Sequence, residues 1–502
     1  MIYKNPVIKG FYPSPSVCEA DGRYYMVCSS FQYFPSIPLF ESEDLVNWKQ
    51  IGYVLTRREQ VELDKINSSG GIISATIRYH GGRFYVVTHH DALNKNFYVY
   101  TDDIHGSWSD PIFVDQGGVD PSLYFEKGRC YFMSNGEDDS GVGGAVQCEI
   151  NIETGKKLSE SKCIWQGNGG RFLECPHIYK IGKWYYLMAA EGGTEYGHMI
   201  TCARSRSLWG RYSRNPNNPV LSNRNKVPHI IQGISRGELV SDRDGNWFIL
   251  CLGFRQIHLW MPFHNLGCEV FMTPVQFGED DWFTAGNDGT VDESYEVEGN
   301  AVQNDCKCFS FENTDWNKDW CYMRFPDEKK YQLSEDKAVL TGSAVDLNDA
   351  DSPTFLALRQ KEFNFTMQAL VALTPEEEDT GKCEAGFTVY MCENEHYEVC
   401  IRKLPENEEY EAVLKLNIGG IKHIQKVLPL QSSSAKLIVK GDNFSYSFFF
   451  KNEDDVVGTL LGYGYTKYLT TEVSGGSTGV MLGMYATGKG SGEFTEFELE
   501  YR

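Results

Sequence analysis

The sequence predicts an all-β protein, a five-bladed β-propeller followed by a β-sandwich of jelly-roll type, and three observations carry that prediction. One short pattern returns five times in the first half: DGRYYMVCSS from Asp21, GGRFYVVTHH from Gly81, KGRCYFMSNG from Lys127, IGKWYYLMAA from Ile181 and DGNWFILCLG from Asp244. Beyond a polar stretch at about 283–310, apolar and polar residues alternate with a period of two. Helix signals are few in either half.

Each repeated unit is a turn ending in Gly, followed by the aromatic and β-branched residues that favour a strand. The glycines fall at 22, 82, 128, 182 and 245, at intervals of 60, 46, 54 and 63 residues, near the period of a propeller blade. SEDLVNW from Ser42, TDDIHGSW from Thr101 and SRSLWGRY from Ser205 trail three of the units by about twenty residues, as outer strands would. The segments PSPSV, ISATI, VDPSLY, ECPHIY and SRGELV precede the glycines and supply the innermost strands. A propeller domain over 1–295 follows. The Gly/Asp/Asn-rich residues after it read as a linker. FLALRQKEFNFTMQALVAL, EAGFTVYMCENEHYEVCIRK, AVLKLNIGGIKHIQKVL, AKLIVKGDNFSYSFFF and GEFTEFELEYR then read as sandwich strands within 310–502. The acidic run PEEEDTGK from Pro375 reads as a solvated hairpin loop.

Bulk properties exclude several functions. The net charge of −22, without a basic cluster, argues against nucleic acid or an anionic membrane as a partner. No apolar run is long enough to span a bilayer, and MIYKNPVIKG lacks a signal-peptide core, so a cytoplasmic location is expected. The 15 cysteines are scattered without CxxC pairs and read as reduced, mostly buried hydrophobes rather than disulfides or metal ligands. An aromatic share of 14% suits both β architecture and sugar-stacking surfaces.

Blades around an axis bring the same end of every inner strand to one mouth. Eight residues before the first four glycines stand Ser14, Ser74, Asp120 and Glu174; nine before Gly245 stands Arg236. An Asp beside Pro in a turn is ordinarily a local cap. Two acids in one register instead suggest a shared pocket.

At these residues the chain resembles glycoside hydrolase family 43, through NPVIKGFYPSPSV, LFESEDLVNW, GGVDPSLYF, ECPHIYKIGKWYYLMAAEGGTEYGH, NWFILCLGFR and EAGFTVYMCENEHYEV. It is most similar to the two-domain branch of β-xylosidases and α-L-arabinofuranosidases. The resemblance implies an exo-acting, inverting hydrolase of xylan- or arabinoxylan-derived oligosaccharides. Glu174 matches the family's general acid, and Asp120 the carboxylate that orients it and raises its pKa. Arg255 matches a substrate-contacting arginine. Phe31 and Phe34 fall where the family has pocket aromatics, although packing explains them nearly as well, and His198 falls among the substrate-side residues. No cofactor is required, and the number of copies is left open.

The departures matter as much. The family's GFYPDPS carries the base Asp; this chain has Ser14 there. A serine hydroxyl does not accept the proton of an attacking water at pH 7, and loss of a positioned base costs about 10²–10⁴-fold in rate. Ile73 stands where many members carry an aromatic. Arg236 stands where many carry a histidine linked to a central ion or water, which counts against a structural calcium; no metal ligand is assigned. Three readings follow. Ser14 is an engineered replacement in an active hydrolase; or another base serves, Asp91 and Glu238 being the candidates, with His89 and His90 beside the former; or the chain is a catalytically impaired carbohydrate-binding protein on the same scaffold. Xylose and arabinofuranose specificity are not separated by the sequence.

Overall fold

The computed structural model describes residues 2–193, 196–226, 228–297, 303, 307–376, 382–404 and 409–502. Most of the acidic run after Pro375 lies outside the described residues. The first half is a five-bladed propeller, each blade a four-stranded antiparallel sheet. The innermost strands are Ser16–Ala20, Ile72–His80, Val119–Glu126, Glu174–Ile181 and Ile231–Ser241, for blades one to five. Each predicted Gly turn joins an inner strand to its neighbour, for example His80 paired with Arg83 and Glu126 with Arg129. The ring closes through the N-terminus. Ile2–Lys4 pairs with Ser294–Glu296, Ile8 bridges to Val270 of blade five, and the buried Tyr3 donates its hydroxyl to the Met272 carbonyl at 3.1 Å.

Five residues repeat one unusual backbone conformation. Ser14, Ser74, Asp120, Cys175 and Arg236 have φ of 54°, 58°, 56°, 51° and 50°. This left-handed region is uncommon for residues other than glycine. In blades two to five the residue sits at a break in the ladder between the first two strands, a bulge that turns the inner strand toward the axis. Neighbouring inner strands are stitched just below: Thr76 Oγ1 donates to the Pro121 carbonyl at 2.9 Å, and Ser122 Oγ to the Pro176 carbonyl at 2.5 Å.

The second half is a sandwich of two eight-stranded sheets around one apolar core that includes Trp320, Phe387, Leu414, Phe448 and Phe494. Strands alternate as their sequences suggest: Phe365–Pro375 buries every second residue from Phe365 to Leu373. The division between the domains is not a clean cut. Tyr33–Phe34, from blade one, pairs with Cys321–Met323 and forms the edge strand of one sandwich sheet. Arg324 fastens the same joint, its guanidinium fully buried and bonded to the Ile66 carbonyl at 2.6 Å and to Glu393 at 2.5 Å. Twelve of the described cysteines, all but Cys308 and Cys383, are free thiols.

Candidate active site

The five left-handed residues meet at the mouth of the propeller axis. Asp120 is buried, and Arg236 Nη1 lies 2.9 Å from its Oδ1. Ser74 Oγ donates to the same oxygen and accepts from Arg236 Nη1 at 2.7 Å. The backbone N–H of Cys175 donates to Asp120 Oδ2 at 3.3 Å. Burial opposes ionisation of Asp120, but Arg236 and the hydrogen bonds from Ser74 and Cys175 outweigh it and hold the carboxyl below the usual range. Burial also opposes the charge on Arg236. The carboxylates of Asp120 and Glu174 more than offset that, so the guanidinium stays charged.

Glu174 enters from one residue outside this ring. Its Oε2 lies 3.6 Å from Arg236 Nη2 and 3.8 Å from Nε2 of the buried His198. Arg236 thus stands against both carboxylates. Ser14, Ser16, Ser74, Asp120, His177 and Arg236 line an axial cavity of about 10 Å³. That is room for about one water, so a sugar ring has to sit above it. At the same end of the strands, between blades four and five, a cleft of about 620 Å³ is lined by residues including Tyr196, His229, Gln232 and Gln256.

A second charged layer lies two to four residues further along the inner strands. Glu238, 1% exposed, accepts from Ser16 Oγ at 2.6 Å, from Arg78 at 3.1 and 3.3 Å, and from the Tyr179 hydroxyl. Burial would raise its pKa, but Arg78, His177, Ser16 and Tyr179 outweigh that and lower it. Arg78 Nη2 also lies 2.9 Å from His177 Nδ1. Burial pushes the His177 pKa down to about 4, so this imidazole is neutral at pH 7 and accepts from Arg78.

Residues 3–283 match the family "Glycosyl hydrolases family 43", and residues 308–501 match "Beta xylosidase C-terminal Concanavalin A-like domain". The chain belongs to glycoside hydrolase family 43. It is 35% identical to a non-reducing end alpha-L-arabinofuranosidase of Bacteroides ovatus, over 99% of this chain and 94% of that one. It is 30% identical to a xylosidase/arabinosidase of Butyrivibrio fibrisolvens, over 98% and 96%. A solved family 43 protein of the Bacteroides ovatus xyloglucan locus superposes along the full length of both chains with a TM-score of 0.91 at 34% identity. A Bacillus halodurans xylan beta-1,4-xylosidase does so with 0.89 at 25%.

Within this family 43 chain, the sequence column is brought together with one shift of register. In blade four the left-handed position belongs to Cys175; Glu174 precedes it, level with Ile73 in blade two. Ile73 is half-buried beside Phe31 and Phe11. Phe31 packs 5.7 Å from Phe11 and bridges Ile72, outside the axial cavity. Phe34 also lies away from the cavity, in the borrowed sandwich strand, edge-on to Phe325 at 5.1 Å. Arg255 holds the buried Glu269 through two bonds of 2.8 Å and reaches Glu362 and the Lys361 carbonyl of the sandwich at 2.6 and 2.8 Å. Its guanidinium is committed to the domain junction. Of the alternative bases, Glu238 is held in the second layer, and Asp91 is exposed on the turn after blade two's second strand. His89 and His90 are buried, against Asn96 Oδ1 at 2.9 Å and the Glu62 carbonyl at 2.6 Å. Arg78, His177 and Tyr179 escaped the sequence reading; the signal was their distance of two or four residues from the left-handed position.

Proposed function

We propose that this protein is an exo-acting, inverting hydrolase of xylan- or arabinoxylan-derived oligosaccharides, a β-xylosidase or α-L-arabinofuranosidase whose base position holds Ser14. The observation that carries the reading is Arg236, which lines a one-water cavity at the propeller axis together with Asp120 and also stands 3.6 Å from Glu174. Glu174 gives its proton to the glycosidic oxygen as the bond to the anomeric carbon breaks. Water attacks that carbon from the opposite face, where inversion needs about 6.5–9.5 Å between the carboxyls. Ser14, on the wall of the axial cavity, orients this water through its hydroxyl but leaves its proton to solvent. Arg236 fixes Asp120 and Glu174 relative to each other, and its charge stands where a central cation would be repelled, so the site works without metal. Asp120 acts on the acid through this shared guanidinium.

A second reading, a carbohydrate binder that no longer turns over, is favoured by the same Ser14 and by the guanidinium at the axis. Product analysis by proton NMR on arabinoxylo-oligosaccharides separates the two. Release of free pentose, lost in Glu174→Gln, supports the hydrolase and identifies the sugar and its anomer. Saturable binding with no released sugar supports the binder.

A further inference from the structure

A second polar cleft, of about 450 Å³, lies in the sandwich, and every residue lining it belongs to that domain. Its floor is a chain of charges, largely buried except for the exposed Lys382, on the face of the sheet turned away from the apolar core. Glu384 is fully buried between Lys382 at 2.8 Å and Lys415 at 2.6 Å, and Lys415 continues to Glu398 at 2.8 Å. One wall is the loop carrying Asp346 and Asn348; the other is the exposed edge strand Ile421–Pro429, which presents Lys422 and His423.

Asn417 joins floor to wall. Its Nδ2 donates to Asn348 Oδ1 and to the Glu393 carbonyl, both at 2.8 Å. Its Oδ1 has no donor among the described residues, although the side chain is only 4% exposed. That oxygen is itself shut off from the cleft, so Asn417 braces the floor against the wall, and a ligand in the cleft meets the charged groups around it.

The charges select the ligand. The lining holds three carboxylates, Asp346, Glu384 and Glu398, and three ammonium groups, Lys382, Lys415 and Lys422. An anion or a cation would find as many like charges as opposite ones. A metal ion is further disfavoured because Lys415 Nζ already fills the space between Glu384 and Glu398, and no group of three potential ligands is placed for one among the described residues. Neutral hydroxyls suit such a surface, since each donates to a carboxylate or amide oxygen and accepts from an ammonium. The volume falls within the range of small-ligand sites. We propose that this cleft is a second, non-catalytic binding site for a neutral, hydroxyl-rich ligand, a short pentose oligosaccharide.

The test counts bound xylobiose per chain by equilibrium dialysis, on the full-length Glu174→Gln protein so that the probe survives. The same count is made after adding Lys422→Ala and His423→Ala. Both residues are exposed, and an unchanged melting temperature confirms the fold. The expected result is the loss of one bound xylobiose per chain in the rim variant. Equal counts, or no binding by the parent, overturn the proposal. The axial reading is judged separately, by release of pentose from the unsubstituted protein.

Discussion

Replacing Ser14 by Asp tests the catalytic reading most directly. Ser14 has φ of 54°, and Asp is among the residues that tolerate this left-handed backbone. The new carboxylate enters a cavity of about 10 Å³, lined by Ser74, Asp120 and Arg236, and takes up space now sufficient for one water. It supplies the missing base, so the gain expected in kcat/KM is about 10²–10⁴-fold, equivalent to about 2.7–5.4 kcal/mol of barrier. There is an opposing term, because a third carboxylate would face a guanidinium already shared by Asp120 and Glu174. That repulsion raises the pKa of the new Asp toward the working pH, which suits a general base, while lowering the melting temperature. The assay is turnover of nitrophenyl xylosides and arabinofuranosides, with Glu174→Gln as the blank and the product anomer followed by proton NMR. A folded Ser14→Asp protein no faster than its parent would refute the assignment of this wall of the cavity to the base.

Three further outcomes follow from the charges. Arg236→Met leaves Asp120 buried without its counter-charge and is expected to cost about 3–5 kcal/mol in denaturant unfolding, part of it recovered by adding Asp120→Asn; strictly additive effects would contradict the pair. For His177, whose native pKa is about 4 against an ordinary 6.5, the unfolded chain binds the proton more readily; stability is therefore complete above about pH 6.5 and declines as pH falls toward 4. The span is about 3 kcal/mol, and a His177→Gln protein with an unaltered slope of midpoint against pH over that window would exclude this source. Asp91→Asn, at an exposed turn, leaves turnover unchanged, whereas Glu238→Gln strands Arg78 and shows its effect in melting temperature first; a kinetic loss in Asp91→Asn would restore that acid as a candidate base.

The repeated glycines located the axis because a blade's first hairpin has nearly constant length, and the column counted back from them contains four of the five left-handed residues. It misplaced the fourth. The interval from that residue to the glycine is eight in the first three blades, seven in blade four and nine in blade five, so a fixed count selected Glu174 instead of Cys175. Tyr33–Phe34 was illegible for another reason: a two-residue strand has no periodicity, and its partner lies almost three hundred residues away.

The identity of the charged groups was hidden more deeply. Glu238 acquires its meaning from Ser16, Arg78, His177 and Tyr179, contributed by blades one, two and four. Asp120 acquires its meaning from Arg236, two blades away. A repeat fixes which positions face the axis, since that depends on backbone geometry shared by every blade. It leaves open which sign each position carries, because a buried charge is tolerated only beside its complement, and on this axis the complement always comes from another blade. Arg236 is therefore best understood together with Asp120, as half of a compensated pair; in the function proposed for this site, the proton of the water beside Ser14 goes to solvent and not to an acid across the ring.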